Sequence, residues 1–417
     1  YSLMSIKYLA RKLSDDNPEE FVEILEQLTT VLDNENIHTP VLVNLVICIA
    51  ELTAALKVRA ISILGQFVPI VLRLMVVKEN DPSAFLLLYS TTTALLRVIE
   101  TVPLFLSPYL VHMITQLTRL GPGLKLLNDS KIAPTMAKIT KIWTALAQLV
   151  PTRVLIPAID EVYDRIIQKE QYKSVEPLMD FLFEIFQHVE GKVIKNYQSE
   201  LTEFFLKAMT FRCDVEFSEV NEIEFNVIRA LVALIMKLSE GSFRPLFESV
   251  FTWAIRDEPD NFNRAITFFR LTTEVSAALK SLFLLFASEL IDVAGPLLDK
   301  CNPSKEEHVE ANLYLTEFIL RTLHNIFLHD HQNFINSHRF DVIMQPVVDQ
   351  IENEQVVESE KMQELVRLSV AQLAVAASDD ILYKQLNYQV LMKTRSENAA
   401  QRIFGIKVCV DMAKKLG

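Results

Sequence analysis

The side chains best suited to bind a metal ion are histidines that cluster late in the chain. Four of the eight histidines lie between His324 and His338, and His329 and His331 flank an aspartate. Two positions apart on a helix, this pair would point to different faces, and no spacing here matches H-E-x-x-H or a Cys/His zinc finger. We therefore expect no metal site and no bound cofactor, and interpret the cluster as a helix end and loop.

Carboxylates and nucleophiles are numerous but show no catalytic arrangement. With only 8 glycines, the chain has no G-x-G-x-x-G, no G-x-x-x-x-G-K-[ST] and no G-x-S-x-G. An acidic cluster offset by a lysine is typical of a polar helix connection; it comprises Glu352, Glu354, Glu358, Glu360 and Glu364. We expect no enzymatic activity and no small-molecule substrate, since a helical enzyme would need a deep pocket that contains a titratable group with a strongly shifted pKa.

The composition also limits the compartment. The four cysteines lie far apart without a C-x-x-C pair, which favours neither zinc nor disulfides and indicates a reducing compartment. The longest stretch without a formal charge, 101–118, is interrupted by Pro103 and Pro108, so we expect no membrane-spanning helix there. The chain begins at Tyr1 without a secretory signal and ends within a helical pattern, from which we expect a fragment of a longer protein.

Two basic zones stand out in a chain whose formal net charge is −12. The candidate surface for RNA or an acidic partner comprises Lys125, Lys131, Lys138 and Lys141 in the first zone, and Lys393, Arg395, Arg402 and Lys407 in the second. Clustered cations can bind RNA phosphates or acidic protein segments. The alternative is that these are ordinary solvated helix faces, because few aromatic residues are interleaved with them.

The elements that carry these residues are helices almost throughout. In 136–150 and again in 178–189, apolar residues recur at i, i+3 and i+7, which is the pattern of one buried helical face. Capping residues precede prolines at Asn17, Asp81 and Asn302, where we expect helices to begin. The sequence predicts an all-α protein of roughly twenty helices, with a longer loop from Gly121 to Pro134.

A repeated proline pattern indicates how those helices are arranged. An apolar lead-in, a proline and an amphipathic helix recur around Pro69, Pro108, Pro157, Pro245, Pro296 and Pro346. The intervals of 39, 49, 88, 51 and 50 residues suggest a period near 40–50, and a proline-free copy at 193–197 fills the long interval. This is the period of HEAT-type repeats, so the sequence predicts a HEAT-like α-solenoid of stacked antiparallel helix pairs, with each proline near a helix start.

The last part of the chain goes beyond a generic repeat. Its motifs lie in 243–254, 264–271, 279–283, 327–330, 339–353 and 386–395. In this order they resemble the C-terminal region of the HEAT repeat-containing protein 1 family, which includes U3 small nucleolar RNA-associated protein 10. We therefore divide the chain into HEAT-like repeats over 1–242 and a continuation of the same solenoid over 243–417, and expect no break between them.

The resemblance implies a function. Such proteins are large, non-enzymatic nucleolar scaffolds of the small-subunit processome that support pre-rRNA processing and, in some members, transcription of rRNA genes. The implied partners are other subunits of a pre-ribosomal complex, with pre-rRNA or a small nucleolar RNA particle as a candidate direct ligand and no membrane. Among the motif residues, charge is not needed for packing at Arg264, Arg270, Arg339 and Asp349; these either tie neighbouring repeats by ion pairs or face a partner.

A different class of protein fits the same pattern. Importin-like nuclear transport receptors and adaptors are also acidic helical solenoids, and they bind a GTPase and cargo. Sensitivity of binding to the GTPase and passage through the nuclear pore would favour that alternative, whereas stable association with pre-ribosomal particles would favour the scaffold.

Overall fold

The computed structural model describes residues 2–34, 37–77, 81–127, 132–306, 308–377 and 379–416, and within these ranges it contains helices and no strand. The first ten α-helices are α1 Ser2–Leu13, α2 Pro18–Leu32, α3 Thr39–Leu56, α4 Leu64–Leu74, α5 Pro82–Thr101, α6 Leu110–Leu127, α7 Ala133–Leu149, α8 Thr152–Gln168, α9 Val175–His188 and α10 Gly191–Ile194.

Twelve further α-helices follow: α11 Gln198–Met209, α12 Phe211–Asp214, α13 Val220–Ile235, α14 Glu240–Phe251, α15 Phe262–Leu279, α16 Ser288–Cys301, α17 Leu313–Leu328, α18 Ser337–Val348, α19 Glu354–Val357, α20 Glu360–Ala376, α21 Asp380–Lys393 and α22 Ala399–Leu416. A five-residue π-helical turn, Thr252–Arg256, extends α14. The chain divides into two compact units, one of Tyr1–Phe204 with Asn221–Ala233 and one of Phe205–Val220 with Leu234–Gly417.

Within each unit, a helix packs mainly against the helix two places further along the chain. In the first unit α3, α5, α7 and α9 follow one another in one layer, and α4, α6 and α8 in a second. In the second unit α15, α17, α20 and α22 form one layer, while α16 packs on α18. This is the arrangement of HEAT-like stacked helix pairs, so the predicted fold class is confirmed.

The repeat period is visible in hydrogen bonds between neighbouring repeats. In the first unit the bonded pairs are Arg11 with Glu51, Arg73 with Asp33, and Thr144 with Glu184, each 40 residues apart. In the second unit Thr272 bonds Thr322 and Ser276 bonds Asn325, at separations of 50 and 49 residues. The period of 40–50 residues inferred from the prolines therefore matches the spacing of residues that touch.

The positions of the prolines differ from the sequence prediction. Pro18 and Pro82 do stand at helix starts, and the Asp81 carboxylate accepts from the backbone N–H groups of Ser83 and Ala84. Five of the six repeat prolines, however, lie inside α4, α8, α14, α16 and α18, and only Pro108 lies in the 3-10 turn before α6. A proline inside a helix removes one hydrogen bond and kinks the axis, and packing against neighbours holds these helices together.

Two local predictions are wrong. Residues 121–127, expected in a loop, form the last turns of α6, which pack against α9. Residues 128–131 of that predicted loop lie outside the described residues, and Pro134 lies in the first turn of α7. Asn302 does not start a helix: it is buried after α16 and donates to the Asp349 carbonyl, and Asn312 caps α17 instead. In both cases a tertiary contact overrides the structure that the local sequence signals predict.

The cores are apolar, and the motif aromatics belong to them. Phe268, Phe269 and Phe283 are fully buried, and Phe247 contacts Phe268 and Phe283 edge-on or tilted. Two stretches, Thr39–Leu74 and Pro82–Thr101, are long and apolar enough to cross a membrane by composition alone. Half of each is buried inside the protein, and α3 and α5 pack against each other, which accounts for their apolar character.

Candidate interaction surfaces

The first basic zone does not form one patch. Lys125 on α6 pairs with Glu176 on α9 at 2.7 Å, whereas Lys138 on α7 lies over the ring of Tyr89 on α5. These partners lie on opposite sides of α7, which packs between α5 and α9. Lys141 is exposed, and Lys131 lies outside the described residues. A role of these lysines in binding RNA or a protein stays a prediction.

The second basic zone is partly used for internal contacts. Lys393 is mostly buried and pairs with Asp349 at 2.5 Å and with Glu352 at 2.7 Å. Arg402 donates to the carbonyls of Ser396 and Glu397, which fixes the turn before α22. Arg395 and Lys407 are exposed, so these two are the cations of the zone best placed to meet a partner.

Asp349 is the centre of a buried ionic cluster in the second unit. Its side chain, 4% exposed, pairs with Lys305 and Lys393 and accepts from Gln345 at 2.7 Å. Burial alone would raise the pKa of this carboxyl, but the hydrogen bonds and charges of the two lysines outweigh it and lower the pKa. The cluster joins the end of α18 to the segment after α16 and to the end of α21.

The three motif arginines also make contacts within the second unit. Arg264 pairs with Glu258 at 2.7 Å, donates to the Trp253 carbonyl at 2.9 Å and lies over the indole ring, which holds the π-helical turn against α15.

Arg270 and Arg339 both contact aromatic rings. Arg270 is buried and lies over the rings of Tyr314 and Phe318 on α17. Arg339 on α18 stacks on Phe334 and donates to Ser288 on α16. Arg270 and Arg339 thus touch neighbouring repeats through aromatic rings and a hydroxyl group, and a role of the motif residues in binding a partner stays a prediction.

Several titratable groups with shifted pKa values are buried in the cores. Burial raises the pKa of Cys48 to about 11 and that of Cys301 to about 12, so neither thiol is activated as a nucleophile. Burial lowers the pKa of His324, which lies between α17 and α20 near the Leu368 carbonyl. Among the described residues no group of three histidines, cysteines or carboxylates is placed to hold a metal ion.

A cleft of about 860 Å³ in the first unit was not anticipated from the sequence. Its walls are one stripe of α4, containing Gln66, Ile70 and Arg73, and one stripe of α6, containing His112, Gln116, Arg119 and Leu120. The sequence did contain a signal for this cleft. Pro69 in α4 lacks a backbone N–H, Gly65 in α4 and Gly123 in α6 lack a side chain, and all three line the cleft.

Comparison with known proteins finds relatives that match the whole chain. Over its full length the chain is 34% identical to a HEAT repeat-containing protein 1 homolog of Drosophila melanogaster, of which it covers 21%. Over its whole length the chain resembles the HEAT repeat-containing protein 1 family. The BP28CT (NUC211) domain family matches residues 193–335. U3 small nucleolar RNA-associated protein 10 of Schizosaccharomyces pombe is 24% identical over 96% of the chain, which covers 23% of that protein.

These matches extend the resemblance that the motifs indicated. The motifs begin at residue 243, whereas HEAT repeat-containing protein 1 relatives match residues 1–242 as well, where repeats alone were recognised. The chain spans about a fifth of the length of these relatives. Among solved structures, Kap121p bound to RanGTP aligns with the whole chain and 43% of its own length, with a TM-score of 0.53 and 14% identity, which shows a shared fold.

Proposed function

We propose that this chain is part of a HEAT repeat-containing protein 1 family member and serves as a non-enzymatic scaffold segment of a nucleolar small-subunit processome that supports pre-rRNA processing. The observation that carries the proposal is that the whole length of this chain matches relatives in this family. One relative is named for its association with U3 small nucleolar RNA. A nucleolar location, and support of rRNA gene transcription, belong to the same proposal.

The structure supports a scaffold because its groups of unusual chemistry serve packing. The Asp349 cluster and the stacked arginines Arg264, Arg270 and Arg339 hold helices together. Stacked helix pairs present extended surface, on which several partners can bind at once. We infer that these partners are other protein subunits of a pre-ribosomal complex, and that Arg395, Lys407, Lys138 and Lys141 are the first residues to test for contact with pre-rRNA.

The likeness to a transport receptor concerns the fold alone. At 14% identity, it does not favour GTPase binding or cargo transport in this chain. The two functions predict different losses when the protein is removed, so one depletion experiment separates them.

The test is depletion of the full-length protein, with small-subunit rRNA and its precursors followed by hybridisation and an import reporter followed in the same cells. We expect the unprocessed precursor to accumulate, mature small-subunit rRNA to fall and import to continue. Normal rRNA processing with loss of import would overturn the proposal in favour of a transport receptor.

Surface variants then locate the contact. In depleted cells, the full-length protein with Arg395→Glu and Lys407→Glu should crosslink less to pre-rRNA if this zone touches RNA. Lys384→Glu is the matched control, because Lys384 is an exposed cation on α21 that already pairs with Asp380.

A further inference from the structure

The cleft between α4 and α6 has the chemistry of a peptide-binding groove. Its floor is apolar, formed by Ile70, Met75 and Leu120, and Val76 is exposed at its edge. The Gln116 side chain donates to the Met75 carbonyl at 2.6 Å, which joins the two walls and fixes their separation. The volume of about 860 Å³ lies within the range of ~300–1,000 Å³ that ligand sites occupy.

The charges around this floor are mainly positive. Arg73 and Arg119 line the cleft, against one carboxylate among the described lining residues, that of Asp33; the His112 imidazole also lines it. Arg73 pairs with Asp33 at 3.2 Å, but both side chains are more than 60% exposed, so the pair is weak and readily exchanged. Arg119 has no acidic partner among the residues that the structure describes. The walls therefore offer two guanidinium groups on opposite helices to an anionic ligand.

The walls also offer groups that can bind a peptide backbone. The exposed Gln66 amide both donates and accepts hydrogen bonds. Pro69, four residues after Gly65 in α4, has no N–H, so the Gly65 carbonyl lacks the helical donor that it would otherwise receive. Gly65 and Gln66 both line the cleft, where an extended chain could use that carbonyl and amide.

We propose that this cleft binds an extended, acidic segment of a partner protein, with acidic side chains at Arg73 and Arg119 and an apolar side chain on the floor between them. RNA fits less well. Among the described lining residues there is no tryptophan, tyrosine or phenylalanine on which a base could stack, only the smaller imidazole of His112, and Asp33 repels phosphates. The proposal does not rest on the function proposed above, because the cleft chemistry is independent of the family match.

The test is fluorescence anisotropy with the 417-residue chain and a labelled peptide of about ten residues that alternates glutamate with leucine. We expect saturable binding that weakens with salt. The double variant Arg73→Glu and Arg119→Glu should lower the affinity at least about tenfold, because each arginine contributes charge-assisted hydrogen bonds. The same variant should gain affinity for a peptide in which lysine replaces glutamate.

The matched control is Lys12→Glu, an exposed cation on α1 that does not line the cleft, and it should leave peptide affinity unchanged. Circular dichroism of each variant checks that the fold is retained, which the exposure of Arg73 and Arg119 favours. Absence of binding to the acidic peptide at low salt, or equal affinity after charge reversal, would overturn the proposal. Competition by an unlabelled oligouridylate that depends on Arg119 would replace it with an RNA site.

Discussion

The two compact units satisfy their buried polar side chains in different ways. In the first unit, hydroxyl groups on α3 and α5 bond to carbonyls of their own helix, as Thr53 does to Ile49 and Thr92 to Leu88. In the second unit, Thr322 on α17 bonds the hydroxyls of Thr272 and Thr273 on α15 at 3.1 and 3.0 Å. These buried threonines of the second unit thus bond across the repeat boundary, in addition to the bonds that Thr272 and Thr273 make to the Phe269 carbonyl of their own helix.

The ionic contacts differ in the same sense. In the first unit the cross-repeat pair Arg73 and Asp33 is largely exposed, whereas in the second Asp349 and Lys393 pair with little exposure. Exposed pairs contribute little, while a buried pair becomes destabilising when one partner is lost. The comparison teaches that one stack of similar helices can place its cross-repeat polar contacts at the exposed edge, while another places them in the buried interface between repeats.

The largest expected effect is at the ionic cluster. Asp349→Ala should lower the free energy of unfolding of the second unit by about 3–5 kcal/mol, because Lys305 and Lys393 are left without their carboxylate. Asp33→Ala in the first unit should cost less than about 1 kcal/mol, because both side chains of its pair are exposed. Urea unfolding of both variants measures the difference.

Measuring the same stabilities at acidic pH extends that test. Because the folded pKa of Asp349 is lowered from its ordinary value of 3.8, its contribution is fully present above that pH and declines as the pH falls below it. The Asp349→Ala variant should therefore lose less stability on acidification than the parent chain. Equal unfolding midpoints for the Asp349→Ala and Asp33→Ala variants would show that the ion pairs of the two units contribute equally to stability.

A smaller effect is expected where two helices of the second unit come closest. A Cβ on Gly295 of α16 would lie 2.5 Å from the Val342 carbonyl oxygen of α18, so Gly295→Ala must push the helices apart. We expect a loss of about 1–3 kcal/mol in thermal or urea unfolding. Gly241→Ala is the control, since nothing lies within 4 Å of its Cβ, and it should be neutral or slightly stabilising. Identical effects of the two substitutions would show that α16 and α18 are not in such close contact.

The smallest expected effect tests the threonine contacts directly. Thr322→Val should cost about 1 kcal/mol, because it removes the hydrogen bonds to Thr272 and Thr273 while keeping the side-chain shape. Thr53→Val removes one bond to a carbonyl of the same helix and should cost a few tenths of that amount. Should Thr53→Val prove the more destabilising in urea unfolding, the distinction between the units would fail.

Periodicity predicted the fold because it depends on many residues at once. The apolar stripes, the repeat length and the buried positions of Phe268, Phe269 and Phe283 follow from the spacing of hydrophobic side chains. Single-residue signals were less informative. Prolines were expected at helix starts, but Pro69, Pro157 and others lie inside helices, since tertiary packing compensates for the missing hydrogen bond.

The candidate surfaces could be predicted only in part. Charge clusters in the sequence are defined along the chain, whereas Lys125 and Lys138 meet partners on opposite sides of α7, and Lys393 turns inward to Asp349. The cleft between α4 and α6 arises from the separation of two helices that begin at Leu64 and Leu110. Its lining residues are recognisable as a set only when that separation is seen.

The spacing of the cross-repeat contacts has a consequence for biosynthesis. The bonds that tie neighbouring repeats join residues 40 to 53 positions apart, about a tenth of the chain. At ~5–20 residues per second, a ribosome needs roughly 2–10 seconds to supply the partner of any such residue. Each repeat can therefore dock on its completed predecessor during translation, and the exposure of unpaired apolar faces stays brief however long the polypeptide becomes.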